Sequence, residues 1–187
     1  MEAKRKRLAE RPEIILEAAH AVLRKSGARG LTIDAVAAEA GLSKGGVLHH
    51  YASKDALISA LVARKLSDLR EEIAACEAVI PPGPSQLSQA MVAHVRGHYC
   101  DDDESSRALL LASIESSEAL ADYRAFVADQ LGRLERIEGA CPGEGAVLFF
   151  AILGLFMGRA LGFHALGDAA LQPMLDALER MAKRPER

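Results

Sequence analysis

Apolar residues along this chain recur at intervals of three and four, and no long Val/Ile/Thr run alternates with polar positions. Ile14, Ile15, Ala18, Ala19, Val22 and Leu23 fall at helical spacing, the pattern that puts one apolar face toward a core. Pro12 suits the first turn of that helix, and Gly27 and Gly30 bracket its end. Thr32 is a good N-cap for a second helix, with Asp34 in the first turn where the helix dipole favours negative charge. That helix ends at Gly41. Ser43 caps a third, running to about Tyr51, and Ser53 caps a fourth that carries Leu57, Leu61, Leu66, Leu69 and Ile73 to about Ala78. Pro81-Pro82-Gly83-Pro84 then interrupts the chain, because proline cannot continue a helical hydrogen-bond ladder.

Five more helices are expected, over about 85–99, 105–116, 118–138, 143–166 and 169–183. The fourth of these is apolar nearly all round, so most of its perimeter must be covered. The last places Leu171, Met174, Leu175, Leu178 and Met181 on one side. The predicted fold is all-α: an N-terminal three-helix head containing a helix-turn-helix, joined by a long helix to a C-terminal helical bundle. The boundary is set near residue 54, giving a head of 1–54 and a body of 55–187.

Composition agrees with helices. Half the residues are hydrophobic, enough to bury a core, and only 4% are aromatic. The net charge of −3 hides an asymmetry. Residues 1–54 carry ten Lys/Arg against six Asp/Glu, a net +4, and the remainder is net −7. A basic head on an acidic body implies that the head alone approaches a polyanion. The segment Met1 to Arg11 is charged with no apolar stretch behind it, so no secretory leader is expected. Ala146 to Met157 is too short to span a bilayer, and Arg159 follows it closely. Cys76, Cys100 and Cys141 are odd in number and lack metal-site spacing, which reads as reduced thiols of a cytoplasmic protein, with a redox sensor as the alternative.

The most informative stretch is Thr32 to Lys54: two short helices around a tight Gly41-Leu42-Ser43 turn. Helices joined this way form a helix-turn-helix, whose second member can enter a DNA major groove. At about 100° per residue, Val47 and Tyr51 share one face of that second helix and should pack inward. Gly45, Gly46 and His49 lie opposite, with Leu48 and His50 on the flanks. Two glycines in a first turn cost roughly 1 kcal/mol each relative to alanine. Close approach of a DNA strand to the helix start and its free amides would offset that cost, and a plain turn with no ligand is the alternative. Lys44 can reach a phosphate or a guanine edge, and Lys54 a second phosphate. A solvated surface pair is the ordinary alternative for His49 and His50, and a solvated tail for the basic run Lys4 to Arg7.

Residues 13–62 resemble the N-terminal domain of TetR-family transcriptional regulators. The matching pieces are Ile15-Leu16-Glu17-Ala18-Ala19, Gly30-Leu31-Thr32, Val36-Ala37, Ala40-Gly41-Leu42-Ser43-Lys44-Gly45 and Tyr51-Ala52-Ser53-Lys54-Asp55-Ala56-Leu57. The resemblance implies a homodimer bound to a palindromic double-stranded DNA operator. It also implies a body with a small-molecule pocket, and repression relieved when an effector moves the heads apart. Thr32, Lys44, Gly45, His49, His50 and Lys54 fall where the family contacts DNA. Ser43 and Gly46 complete the candidate set. Gly46 and Leu48 depart from the threonine and tyrosine often found there, which puts affinity or sequence preference in question.

In the body, Gly154, Gly158 and Gly162 are four apart and would form a smooth ridge for close helix packing. The ridge should face either the last helix or its two-fold mate; with Leu171, Leu175 and Leu178 it is the expected dimer interface, since the resemblance implies one built from the last two helices, and packing within one chain is the alternative. Arg159 in an apolar helix should meet an acid or an anion. Met91, His94, His98, Phe126, Phe149 and Phe156 are candidates to line a ligand pocket. His94 and His98, one turn apart, could also hold a metal, but no third ligand accompanies them at a defined spacing, so neither a metal nor another cofactor is predicted. A metal or thiol enzyme using His94, His98 or Cys100 lacks a nucleophile, base and orienting group at recognisable spacing, and no enzymatic activity is expected. The remaining alternative is a DNA-binding architectural protein without an effector.

Overall fold

A computed structural model of the chain describes residues 11–99, 104–114, 116–137 and 143–183. Every regular element among these residues is a helix: α1 (Arg11–Gly30), α2 (Ile33–Ala40), α3 (Lys44–His50), α4 (Lys54–Ala78), α5 (Gln86–His98), α6 (Glu104–Ser113), α7 (Ser117–Ile137), α8 (Glu144–Ala160) and α9 (Asp168–Ala182). None is long and apolar enough to cross a membrane. The basic run Lys4 to Arg7, Cys100, Cys141 and the acidic residues 101–103 lie outside the described residues.

The helices pack as two units. The first comprises the described residues within 1–65 and 103–123. Its core is the apolar face of α1, with Ile15, Leu16, Ala18, Ala19, Val22 and Leu23 all buried, together with Val36, Val47, Leu57, Ile58, Leu61 and Val62. Each fully buried side chain of this size contributes about 1.5–3 kcal/mol of transfer free energy. Ile14, expected on the same face, is instead exposed. Gly27 breaks α1 with φ 66° and ψ −171°, a positive-φ conformation essentially open to glycine alone, and a further helical turn follows to Gly30. The helix α6 packs against α1, and the buried Ser105 Oγ lies 2.7 Å from His20 Nε2. A stretch from the middle of the chain thus completes the core of the head, an arrangement that no linear boundary expresses. Ser59 Oγ donates to Asp122 Oδ2 at 2.8 Å, fastening α4 to the start of α7 in the same unit.

The second unit comprises the described residues within 66–102 and 124–187. Leu87, Met91 and Val95 of α5, Leu134 of α7, Leu148, Phe149, Ile152 and Leu155 of α8, and Leu171, Leu175 and Leu178 of α9 are buried in it. Charged groups join helices at its surface. Arg133 donates to Glu77 at 2.8 Å, and Arg96 reaches Asp176 at 2.8 Å and Glu179 at 3.0 Å.

One helix ends earlier than expected. α8 stops at Ala160, not near residue 166. Gly162 turns the backbone left-handed at φ 75°, and the Phe163 amide donates back to the Gly158 carbonyl at 2.8 Å. The glycine closes the helix rather than extending it.

Candidate nucleic-acid interface

Local capping chemistry sets the helix-turn-helix. Thr32 Oγ1 accepts from the Ala35 amide at 3.1 Å and starts α2. Gly41 adopts φ 64°, ψ 31°, and the Leu42 amide donates to the Ala37 carbonyl at 2.9 Å, which turns the chain out of α2. Ser43 Oγ accepts from the Gly46 amide at 3.1 Å and starts α3. Ser53 Oγ repeats the device for α4, accepting from Ala56 at 3.0 Å. Four short-range signals therefore fix the turn before any packing is counted.

Packing then selects the outward face of α3. Val47 is fully buried. Tyr51 is half-buried and its hydroxyl donates to the Pro12 carbonyl at 3.5 Å, tying the end of α3 to the start of α1. Burial first, and the Glu13 carboxylate second, push the Tyr51 phenol above its usual range, while Arg64 opposes them. The hydroxyl stays a donor throughout the physiological range. Arg64 also pairs with Glu17 and, at 3.6 Å, with Glu13, so α4 is held to α1 on the same side.

Thr32, Ser43, Lys44, Gly45, Leu48, His49 and Lys54 are all exposed, and Gly46 and His50 are half-buried. The candidate residues thus share the solvent side of the turn and of α3. The His49 and His50 rings meet edge-on at 5.2 Å. Lys44 Nζ lies 2.9 Å from Asp34 Oδ2, and both side chains are well exposed. The lysine expected to meet a polyanion is already paired with an acid of α2. The two glycines differ. A Cβ at Gly45 would meet nothing within 4 Å, whereas one at Gly46 would come within 3.3 Å of Ser43 Oγ. A side chain at Gly46 would crowd the cap, whereas none of the described residues crowds Gly45.

The expected pocket residues all belong to the second unit. Met91, His94, Phe126 and Phe149 are buried, Phe156 is half-buried and His98 is exposed. Their ring contacts lead to different neighbours. The Arg70 guanidinium sits 5.1 Å over the Phe126 ring, and Phe156 lies 5.6 Å from Tyr99. Arg159 also finds Tyr99, its guanidinium 5.1 Å over that ring. His94 and His98 face Glu72 of α4, a residue that spacing along the chain did not single out.

The glycine ridge does not form. Gly162 lies beyond the helix end, and Gly158 faces His164 of its own chain, whose ring atoms would stand 2.7 Å from an added Cβ. Leu171, Leu175 and Leu178 are likewise buried within their own subunit and have little surface left for a second copy. Of the expected set Gly154 is exposed, beside Val147, Phe150 and Ala151 on α8, and Met174 and Met181 are exposed on α9. The sequence stripe on the last helix was wide enough to hold an inner and an outer edge, and its outer edge is the part left uncovered.

Two known families match successive parts of the chain. The description "Bacterial regulatory proteins, tetR family" matches residues 15–61, and "Tetracyclin repressor-like, C-terminal domain" matches residues 85–183. No curated protein matches the chain. Among solved structures, the multidrug binding protein EbrR complexed with imidazole is 22% identical with a TM-score of 0.70, over 95% of this chain and 93% of that one. EbrR has also been solved with ethidium, malachite green and proflavin. A TetR-family member from Streptomyces coelicolor A3 is 24% identical with a TM-score of 0.68, over 90% and 98%. A TetR-family regulator from Mesorhizobium loti MAFF303099 is 17% identical with a TM-score of 0.68, over 94% and 96%. At these identities the structures share the fold with this chain.

Proposed function

The chain belongs to the tetR family of bacterial regulatory proteins and is a DNA-binding transcriptional regulator; from that premise we propose that it is a homodimeric repressor, released from a palindromic operator by a small-molecule effector. The observation that carries the proposal is the outward face of α3, where Gly45 opens onto empty space beside exposed Lys44 and His49. In this reading Gly45 and Gly46 admit a DNA strand against the start of α3. His49, His50 and Leu48 meet base edges. Lys44, Lys54 and the hydroxyls of Thr32 and Ser43 meet phosphates.

The second copy docks on the outer edges of α8 and α9. Val147, Phe150, Ala151 and Gly154 stand at i, i+3, i+4 and i+7, an apolar stripe facing solvent on an otherwise covered helix. Such a stripe is the part of a helix that calls for a partner. The complexes of EbrR support a small-molecule effector for this chain as well, held in the second unit among Met91, Phe126, Phe149 and Phe156.

Selection of binding sites from random duplexes tests the reading. The expected outcome is a two-fold symmetric site whose half-sites lie about 34–36 Å apart or a multiple of that. Phe150→Asp should yield monomers in sedimentation velocity and lose preference for the selected site. Equal affinity for selected and random duplexes would overturn the repressor reading. Retained preference with no release by any of a panel of small molecules would favour an architectural protein.

A further inference from the structure

Apart from the reading head, three metal-ligating side chains meet in the second unit. His94 and His98 stand one turn apart on α5, and Glu72 comes from α4. One donor atom from each lies within 4.8 Å of the other two. His94 Nδ1 is 3.7 Å from Glu72 Oε2, beyond an ordinary hydrogen bond. The two imidazoles stack with centroids 4.6 Å apart and planes 24° from parallel. His98 Nδ1 lies 3.0 Å from the carbonyl oxygen of His94. A carbonyl only accepts, so that nitrogen donates, and in the neutral imidazole Nε2 is the nitrogen left to ligate. Anchoring one ring nitrogen on a carbonyl is how proteins orient histidines that bind metals through the other.

We propose that Glu72, His94 and His98 form a binding site for a divalent transition-metal ion of the zinc, cobalt or nickel class. Two imidazoles and a carboxylate suit these ions, whereas magnesium and calcium prefer all-oxygen sites. Bonds of about 2.0–2.2 Å in tetrahedral geometry put donors about 3.4 Å apart. Closing from the present spacing takes about 1.4 Å or less, within reach of a side-chain adjustment. His94 is buried and serves as the fixed member, while His98 is exposed and Glu72 partly so, and both have room to move. Three protein ligands leave an open position for water or a further ligand. Cys76 stands one turn beyond Glu72 on α4 and is not one of the three grouped donors. The site takes His94 and His98 out of the effector lining expected from sequence, and it does not depend on how the head reads DNA.

The test is titration of the full chain, carrying no histidine tag and stripped with a chelator, with Co2+, followed by ligand-field absorption and by displacement with Zn2+. One ion per chain is expected, without a thiolate-to-cobalt charge-transfer band. Glu72→Gln and His98→Gln should each weaken Co2+ binding by about tenfold or more, with circular dichroism unchanged because both positions are accessible to solvent. Cys76→Ser should bind as the parent does. Absence of ligand-field absorption up to millimolar Co2+ would overturn the proposal. So would affinity unchanged in both His98→Gln and Glu72→Gln, or a charge-transfer band that disappears in Cys76→Ser.

Discussion

Gly45 on the recognition helix and Gly158 on α8 are both helical glycines at positions where alanine would be favoured by propensity. Their surroundings are opposite. At Gly45 an added Cβ meets nothing within 4 Å, and at Gly158 it runs into the His164 ring at 2.7 Å. The missing side chain at 158 makes room for another part of the same chain. The missing side chain at 45 leaves a space that no described residue fills. A small residue can therefore be required by the fold or by a partner, and the space around it tells which.

Substitutions can break or sharpen that contrast. The largest effect is expected for Gly158→Leu, which forces a branched side chain into an occupied site and should lower the unfolding free energy by about 3 kcal/mol, the upper part of the overpacking range. Urea denaturation measures it. Adding His164→Ala should recover most of the loss, and an unchanged midpoint for Gly158→Leu alone would mean that His164 does not hold that place in solution. Gly45→Ala should act the other way. Stability should hold or rise by up to about 1 kcal/mol from helix propensity, while operator affinity falls by about 1–2 kcal/mol, the scale of one disturbed base contact. Fluorescence anisotropy on the selected duplex decides, and undiminished affinity would remove Gly45 from the DNA face. Lys44→Ala should give the smallest loss, about 1 kcal/mol or less, because DNA contact exchanges one partner for another: the exposed Asp34 pair is worth little in water. Its signature is a salt dependence shallower by about one unit of log–log slope. A slope identical to the parent would exclude a phosphate contact by Lys44.

The head was largely legible because its signals are local. Thr32, Ser43 and Ser53 each accept a bond from an amide three residues on, and Gly41 takes the left-handed turn that its position after α2 suggested. Such bonds depend on neighbours in sequence. What failed depended on neighbours in space. The end of α8 was set too late because the run of apolar residues continues through Leu161 and Phe163, while the closing bond from Phe163 to Gly158 is a property of the folded turn. Leu171, Leu175 and Leu178 were assigned to a second copy because periodicity gives a face and not its distance from the core. Glu72 is absent from the expected set because it comes from another helix and meets His94 and His98 only in the folded chain. A search for carboxylates on the preceding helix would have included it among many others, with nothing to rank it first.

The bond between His20 and Ser105, and the packing of α6 on α1 around it, bear on how such regulators can be recombined. The reading module is not a cassette. Cutting it free after residue 65 would leave α1 without the strut that seals Leu109 and Ala108 against it, and a raw oily surface would greet the solvent. A chimera that borrows these DNA-contacting helices must carry the later buttress with them, two separate pieces of polypeptide exchanged as one.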